Sequence, residues 1–181
     1  PLAQQIASSY KAVLVDEYQD TNALQGQIVD LMARPHRNVT AVGDDAQCIY
    51  GFRGAEVKNM LEFQQRWPDA SMLPLQVNYR STPQILDVAN EVLRNAREGF
   101  KHKLRGVRPL GLLPALVPCR DAHQQAEFTA ERILLVRDEG VLLSEIAVLD
   151  RAQGHGLVLH VELTRRGIPY VVRSGLRFFE Q

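Results

Sequence analysis

Two adjacent carboxylates, Asp16 and Glu17, follow directly on the apolar run Ala12-Val13-Leu14-Val15. A short run with two β-branched valines predicts a fully buried strand. In open α/β sheets, ligands bind outside the carboxyl ends of the strands. One carboxylate there can hold a hydrated Mg2+, and its neighbour can take a proton from an attacking water. That is the acidic half of a nucleoside triphosphatase site. The phosphate-cradling half, G-x-x-x-x-G-K-[ST], is absent from these 181 residues. An acidic first turn complementing a helix dipole would give the same pair, so the pair needs support from elsewhere.

A second constellation supplies it. Gly43-Asp44-Asp45-Ala46-Gln47-Cys48-Ile49-Tyr50-Gly51-Phe52-Arg53-Gly54-Ala55 closes the next predicted strand with acids, an amide, two aromatics, an arginine and three glycines. The Gln47 side chain can hydrogen-bond a terminal phosphate or the attacking water. Tyr50 and Phe52 alternate and can present flat faces to nucleobases, each stack being worth about 1–3 kcal/mol. Arg53 can add a phosphate or cation–π contact. The competing reading makes both aromatics core residues beneath a glycine loop.

The elements that must position these groups alternate between strand and helix. Strand 13–15 precedes a helix over 24–32, with Thr21 or Asn22 placed to cap it. Strand 39–42 runs into Gly43, and a helix follows from about 56 to 66, broken by Trp67-Pro68-Asp69. A strand over 71–77 leads to Asn78-Tyr79-Arg80-Ser81-Thr82-Pro83. Thr82 as N-cap and Pro83 at the first helical position start a helix, and Ile85, Leu86, Ala89, Val92 and Leu93 recur at helical spacing. Further strands are expected at 116–118, 146–149 and 170–172, and helices at 123–137 and 157–166. This alternation predicts an α/β fold with a largely parallel sheet and right-handed crossovers. The break near 75–79 is the expected domain boundary.

Composition narrows the classes. The apolar fraction of 45% suffices for packed cores, which excludes wholesale disorder. Formal net charge is zero, so nucleic-acid binding would have to be local, with arginines concentrated in a groove. Arginine far outnumbers lysine, and a planar fork suits phosphate. Cys48 and Cys119 lie far apart without a C-x-x-C partner, which speaks against a zinc site or disulfide framework and for a reducing cytoplasm. No stretch approaches the roughly 20 apolar residues of a membrane span, and no signal peptide is visible. The first residue is proline, so the sequence is expected to start inside a longer chain.

Taken together, Asp16-Glu17-Tyr18-Gln19-Asp20-Thr21-Asn22, the Gly43–Ala55 block and Asn78-Tyr79-Arg80-Ser81-Thr82 resemble three ordered motifs of the UvrD/Rep-like (PcrA-like) branch of superfamily 1 DNA helicases. Ile168-Pro169-Tyr170 and Gly175-Leu176-Arg177-Phe178-Phe179-Glu180 resemble a fourth. The resemblance implies parts of two RecA-like domains of the P-loop NTPase type, over residues 1–76 and 77–181. It implies an ATP-dependent 3′-to-5′ DNA helicase that couples hydrolysis to translocation on single-stranded DNA and to duplex unwinding, at DNA junctions and away from membranes. By this likeness Asp16 binds Mg2+, Glu17 is the general base, and Gln47 senses the γ-phosphate. Tyr50, Phe52 and Arg53 contact DNA, and Tyr79 lies near adenine. Arg80 is an arginine finger from the second domain. Gln19 and Asp20 would only position the others.

Departures from the family pattern are small. Cys48 stands where serine is usual, and Asp150-Arg151-Ala152 where Tyr-Arg-Ser is common. The phosphate loop and the later motor motifs would belong to the rest of the helicase chain, so residues 1–181 alone are expected to be inactive. Two alternatives remain: a motor piece of a RecB/AddA-type helicase–nuclease, and a degenerate, non-catalytic DNA-binding module. His155 and His160 are expected as packing or surface residues. The basic run Lys101, His102, Lys103, Arg105 and Arg108 is expected as a solvated loop.

Overall fold

The computed structural model describes residues 2–96, 99–100 and 103–173. They divide into two units between Pro114 and Ala115. The first contains helix α1 (Leu2–Ser8), strand β1 (Val13–Val15), helix α2 (Ala23–Ala33), strand β2 (Val39–Ala41), short helices α3 (Lys58–Leu61) and α4 (Phe63–Arg66), strand β3 (Val77–Asn78), helix α5 (Pro83–Arg94) and strand β4 (Arg105–Gly106). Tight 3-10 turns occur at Tyr18–Asp20, Asp45–Gln47 and Gly51–Arg53. The fold is α/β with parallel strand pairs: β1 pairs with β2, Val13 opposite Val39 and Val15 opposite Ala41, and β3 pairs with β4.

The parallel register of β1 and β2 brings their carboxyl ends side by side, so the Asp16 and Asp44 loops leave the sheet at the same edge. Asn22 caps α2 through a full capping box: its Oδ1 accepts from Gln25 N–H at 2.9 Å, and Gln25 Oε1 accepts from Asn22 N–H at 3.0 Å. Such a cap is worth about 1 kcal/mol and fixes where the acidic loop ends.

Beneath that loop Tyr18 is buried and meets Phe63 edge-to-face, ring centroids 5.6 Å apart. This geometry adds about 0.5–1.5 kcal/mol beyond burial. The Tyr18 hydroxyl accepts from Arg66 Nη2 at 2.9 Å; burial pushes its pKa up, with Arg66 opposing. Arg66 also pairs with Asp30 at 3.0 Å, and Asp30 takes the Trp67 indole N–H at 3.0 Å. The cluster ties α2, α4 and the Tyr18 turn together, and so anchors the acidic loop from below.

Several expected elements differ. The 56–66 helix is two short ones joined at Glu62, whose N–H reaches both Lys58 and Met60 carbonyls. At the joint the Asn59 carbonyl is engaged by the Arg66 guanidinium at 2.6 Å. Strand β1 is not fully buried: Leu14 is 78% exposed. Alternation puts it on the face opposite Val13 and Val15, and β2 is the only strand paired with β1 among the described residues. Of the 71–77 strand only Val77 enters a ladder, and 116–118, 146–149 and 170–172 form none. A strand requires a neighbour's N–H and C=O groups, and these segments have no such neighbour among the described residues. Leu149 is accordingly 94% exposed. Thr82 and Pro83 do open α5, although the Thr82 hydroxyl caps no helix N–H.

The second unit pairs helix α6 (Ala122–Asp138) with helix α7 (Gln153–Arg165). Asp121 caps α6, its Oδ1 accepting from Gln124 N–H at 2.8 Å. Ala130 and Ile133 of α6 pack on Leu163 and Ile168, flanked by Leu134, Leu143, Ile146 and Leu159. His160 stacks on Tyr170 at 5.1 Å, a packing role as expected.

At the end of α7, Glu162 is buried and clasped by Arg165 (2.6 and 2.8 Å) and Arg166 (2.5 Å). Hydrogen bonds from Arg165 and then Arg166 lower its pKa from 4.5 to about 2. A carboxyl with a depressed folded pKa contributes stability that is present above its unfolded value and lost as pH falls toward the folded one. The melting temperature is therefore expected to fall as pH drops from about 4.5 to 2. Glu162→Gln should flatten that limb in thermal melts. Superimposable limbs would refute the assignment.

Candidate functional site

The acidic loop starts where β1 ends. Asp16 is exposed, and its Oδ1 accepts from Glu17 N–H at 2.9 Å. Glu17 has φ 49° and ψ 43°, left-handed for a residue with a Cβ, a conformation that costs of order 1–3 kcal/mol and persists only when its surroundings fix it. The surroundings here are identifiable. Tyr18 N–H donates to the Val42 carbonyl and Asp20 N–H to the Glu17 carbonyl, both at 2.9 Å. Gln19 Nε2 donates to Glu17 Oε2 at 2.5 Å.

The second loop starts where β2 ends. Asp44 caps the Asp45–Gln47 turn: Oδ1 accepts from Ala46 N–H at 3.0 Å, and Oδ2 from Gln47 Nε2 at 2.8 Å. The loops are joined by Gln19, whose Oε1 accepts from Asp44 N–H at 3.0 Å. Cys48 also donates its S–H to the Gln19 carbonyl, at 3.4 Å. Glu17, Gln19, Asp44 and Gln47 are thus connected by hydrogen bonds across the ends of two parallel strands, the link between Gln19 and Asp44 running through the Asp44 main-chain N–H. Glu17 and Gln47 are exposed, whereas Gln19 is 1% exposed.

Beyond the Asp45–Gln47 turn, Tyr50 and Phe52 lie 5.9 Å apart, planes tilted by 55°. Phe52 is 79% exposed, so the core reading of this pair does not hold for it. Arg53 ends the Gly51–Arg53 turn, and Gly54 follows in the left-handed region at φ 82°. Asp45 Oδ2 accepts from Phe100 N–H at 3.0 Å, beside a cleft of about 170 Å3 lined by Cys48, Val57 and Leu61.

Tyr79 and Arg80 follow β3 and are exposed. Asn78 Oδ1 accepts from both Arg80 N–H (2.9 Å) and Ser81 N–H (2.7 Å), and the Arg80 carbonyl accepts from Arg108 at 2.8 Å. The backbone is held at three points. The Arg80 guanidinium has no hydrogen bond or ion pair among the described residues, and none joins it to Asp16, Glu17 or Gln47. Of the basic run, Arg105 lies in β4 and Arg108 supports Arg80, whereas Lys101 and His102 lie outside the described residues. Residues 175–180 of the fourth motif lie outside them too.

The donor set suits Mg2+. After Oδ1 is engaged, Asp16 offers Oδ2, a hard oxygen at an exposed strand end. No cluster of three or more metal-ligating side chains occurs among the described residues. Mg2+ keeps several waters and is bound through one or two carboxylates plus phosphate oxygens, so a single carboxylate is compatible with such a site. Sequence reading missed the bridging part of Gln19 and the capping part of Asp44. The only signal was a glutamine two residues after Glu17. Among the described residues no helix is long and apolar enough to cross a membrane.

Comparison with known proteins bears on this geometry. Residues 1–68 match the family model of the UvrD/REP helicase N-terminal domain, and residues 73–181 that of the UvrD-like helicase C-terminal domain. The chain is 36% identical over 183 residues to the ATP-dependent DNA helicase UvrD2 of Mycobacterium tuberculosis, covering 99% of this chain and 26% of that protein. It is 34% identical over 174 residues to the ATP-dependent DNA helicase PcrA of Staphylococcus aureus, covering 96% and 24%. The chain spans about a quarter of the length of the curated relatives it matches.

Proposed function

This chain belongs to the UvrD/REP helicase family, and from that premise we propose that it carries the central ATP-coupling part of a 3′-to-5′ DNA helicase. It comprises the end of one RecA-like domain, to residue 76, and the start of a second, from residue 77. The two family matches change over close to that point, one ending at residue 68 and the other starting at residue 73. Exposed Leu14, on the open face of β1, and exposed Leu149, on a segment outside any ladder, suit a chain that packs against further elements of a longer protein.

The observation that carries the reading is the array Glu17–Gln19–Asp44–Gln47, which holds a carboxylate and an amide together at adjoining strand ends. In this reading Glu17 takes the proton from the attacking water, and Gln47 donates to the γ-phosphate. Asp16 holds Mg2+, which neutralises charge building on the phosphates when bound. Tyr79 lies against the adenine, and Arg80 reaches the γ-phosphate from the second domain. Tyr50 and Phe52 stack on bases of single-stranded DNA, with Arg53 on its backbone. Closure on ATP moves the bases past this aromatic pair.

The full-length protein should hydrolyse ATP faster with single-stranded DNA and should displace a strand from a duplex with a 3′ single-stranded tail. DNA binding without stimulated hydrolysis would instead identify a binding module.

A further inference from the structure

Both ends of the Gln19 carboxamide are engaged. Its Nε2 donates to Glu17 Oε2 and its Oε1 accepts from Asp44 N–H. The partners fix the orientation, because a carboxylate only accepts and a backbone N–H only donates. Its main chain is tied as well, through the Cys48 thiol. The room for the carboxamide comes from Gly43: a Cβ there would lie 2.6 Å from Gln19 Oε1 and 3.3 Å from Gln19 N. Glu17, at the other end, holds a left-handed backbone that needs external support.

These contacts form a path. Only Cys48 and Ile49 separate the Asp45–Gln47 turn from Tyr50, so a shift of the aromatic turn moves the Asp44 cap. Asp44 N–H pulls on Gln19 Oε1, and Gln19 is too tightly enclosed to absorb the shift by rotating. Its Nε2 then turns the Glu17 carboxylate. Resting on the helicase reading above, we propose that Gln19 is the positioning residue through which DNA on the Tyr50–Phe52 turn sets the orientation of Glu17. It touches neither nucleotide nor DNA; it acts through the base.

The test uses the full-length protein with ATP and oligo(dT), comparing wild type, Gln19→Met and Gly43→Ala. Gln19→Met keeps the length of the side chain without its polar ends. Gly43→Ala keeps Gln19 and displaces its carboxamide. In both, DNA-stimulated kcat is expected to fall about 100-fold, the scale of a small misplacement of a reacting group. KM for ATP and Kd for oligo(dT) should change less than about twofold, so the stimulated-to-basal ratio collapses towards one. A purely structural role would lower stimulated and basal turnover equally; a preserved ratio in a folded Gly43→Ala protein overturns the inference. Wild type without DNA-stimulated hydrolysis overturns the helicase reading and this inference with it.

Discussion

Arg80→Ala in the full-length protein should lower DNA-stimulated ATP turnover by about 10³–10⁵-fold, the range for removing an arginine finger, while ATP binding persists. The physical argument lies in how Arg80 is mounted. Asn78 Oδ1 fixes the N–H groups of Arg80 and Ser81, and Arg108 fixes the Arg80 carbonyl. The side chain itself is exposed and has no hydrogen bond or ion pair among the described residues. A cation on a long flexible stem above an immobilised backbone is suited to meet charge that develops elsewhere. Because that charge peaks in the transition state, the loss belongs in kcat and little of it in ATP affinity. Arg80→Lys should recover only part of the rate, since an ammonium lacks the planar two-point fork. Single-turnover hydrolysis together with equilibrium nucleotide binding reads both quantities. Unchanged turnover would remove Arg80 from the reaction.

Glu17→Gln should reduce hydrolysis by about 10²–10⁴-fold, the usual contribution of a general base, without loss of stability. The amide oxygen of the substituted residue can still accept from Gln19 Nε2, and the left-handed backbone is no more strained than before. Glu17→Ala gives the same catalytic loss with a different stability. It strands a Gln19 amide that is buried and otherwise satisfied, at a cost of about 1–3 kcal/mol. Denaturant midpoints of the two variants should therefore separate while their turnover coincides. Equal midpoints would show that the Gln19–Glu17 bond contributes nothing to the fold, and hydrolysis surviving in both would exclude Glu17 as the base.

The difference between these variants shows where local sequence stops being informative. Asp16 and Glu17 were legible as a pair because a valine-rich run ends immediately before them. The Asn22 cap and the Thr82-Pro83 start were legible because caps are decided within one helical turn, by groups a few residues apart. The family motifs were legible for the same reason, since each is a short contiguous string. None of these signals reports on Gln19. Its bond to Asp44 spans a separation of 25 residues and exists only because β1 and β2 pair in parallel with Val15 opposite Ala41.

The errors follow the same line. The strand–helix order along the chain predicted strands at 116–118, 146–149 and 170–172, but a strand is defined by its neighbour, and the residues of one segment carry no information about the segment beside it. A continuous helix over 56–66 satisfied every local preference, yet it breaks at Glu62, where Arg66 reaches back to Asn59 while also serving Tyr18 and Asp30. The sequence by itself determined the identity of the chemical groups, the capped start of α2, the Thr82-Pro83 start of α5 and the alternating α/β order. The tertiary structure decided which groups share hydrogen bonds, because that depends on strands and loops distant in the chain being brought within about 3 Å of one another.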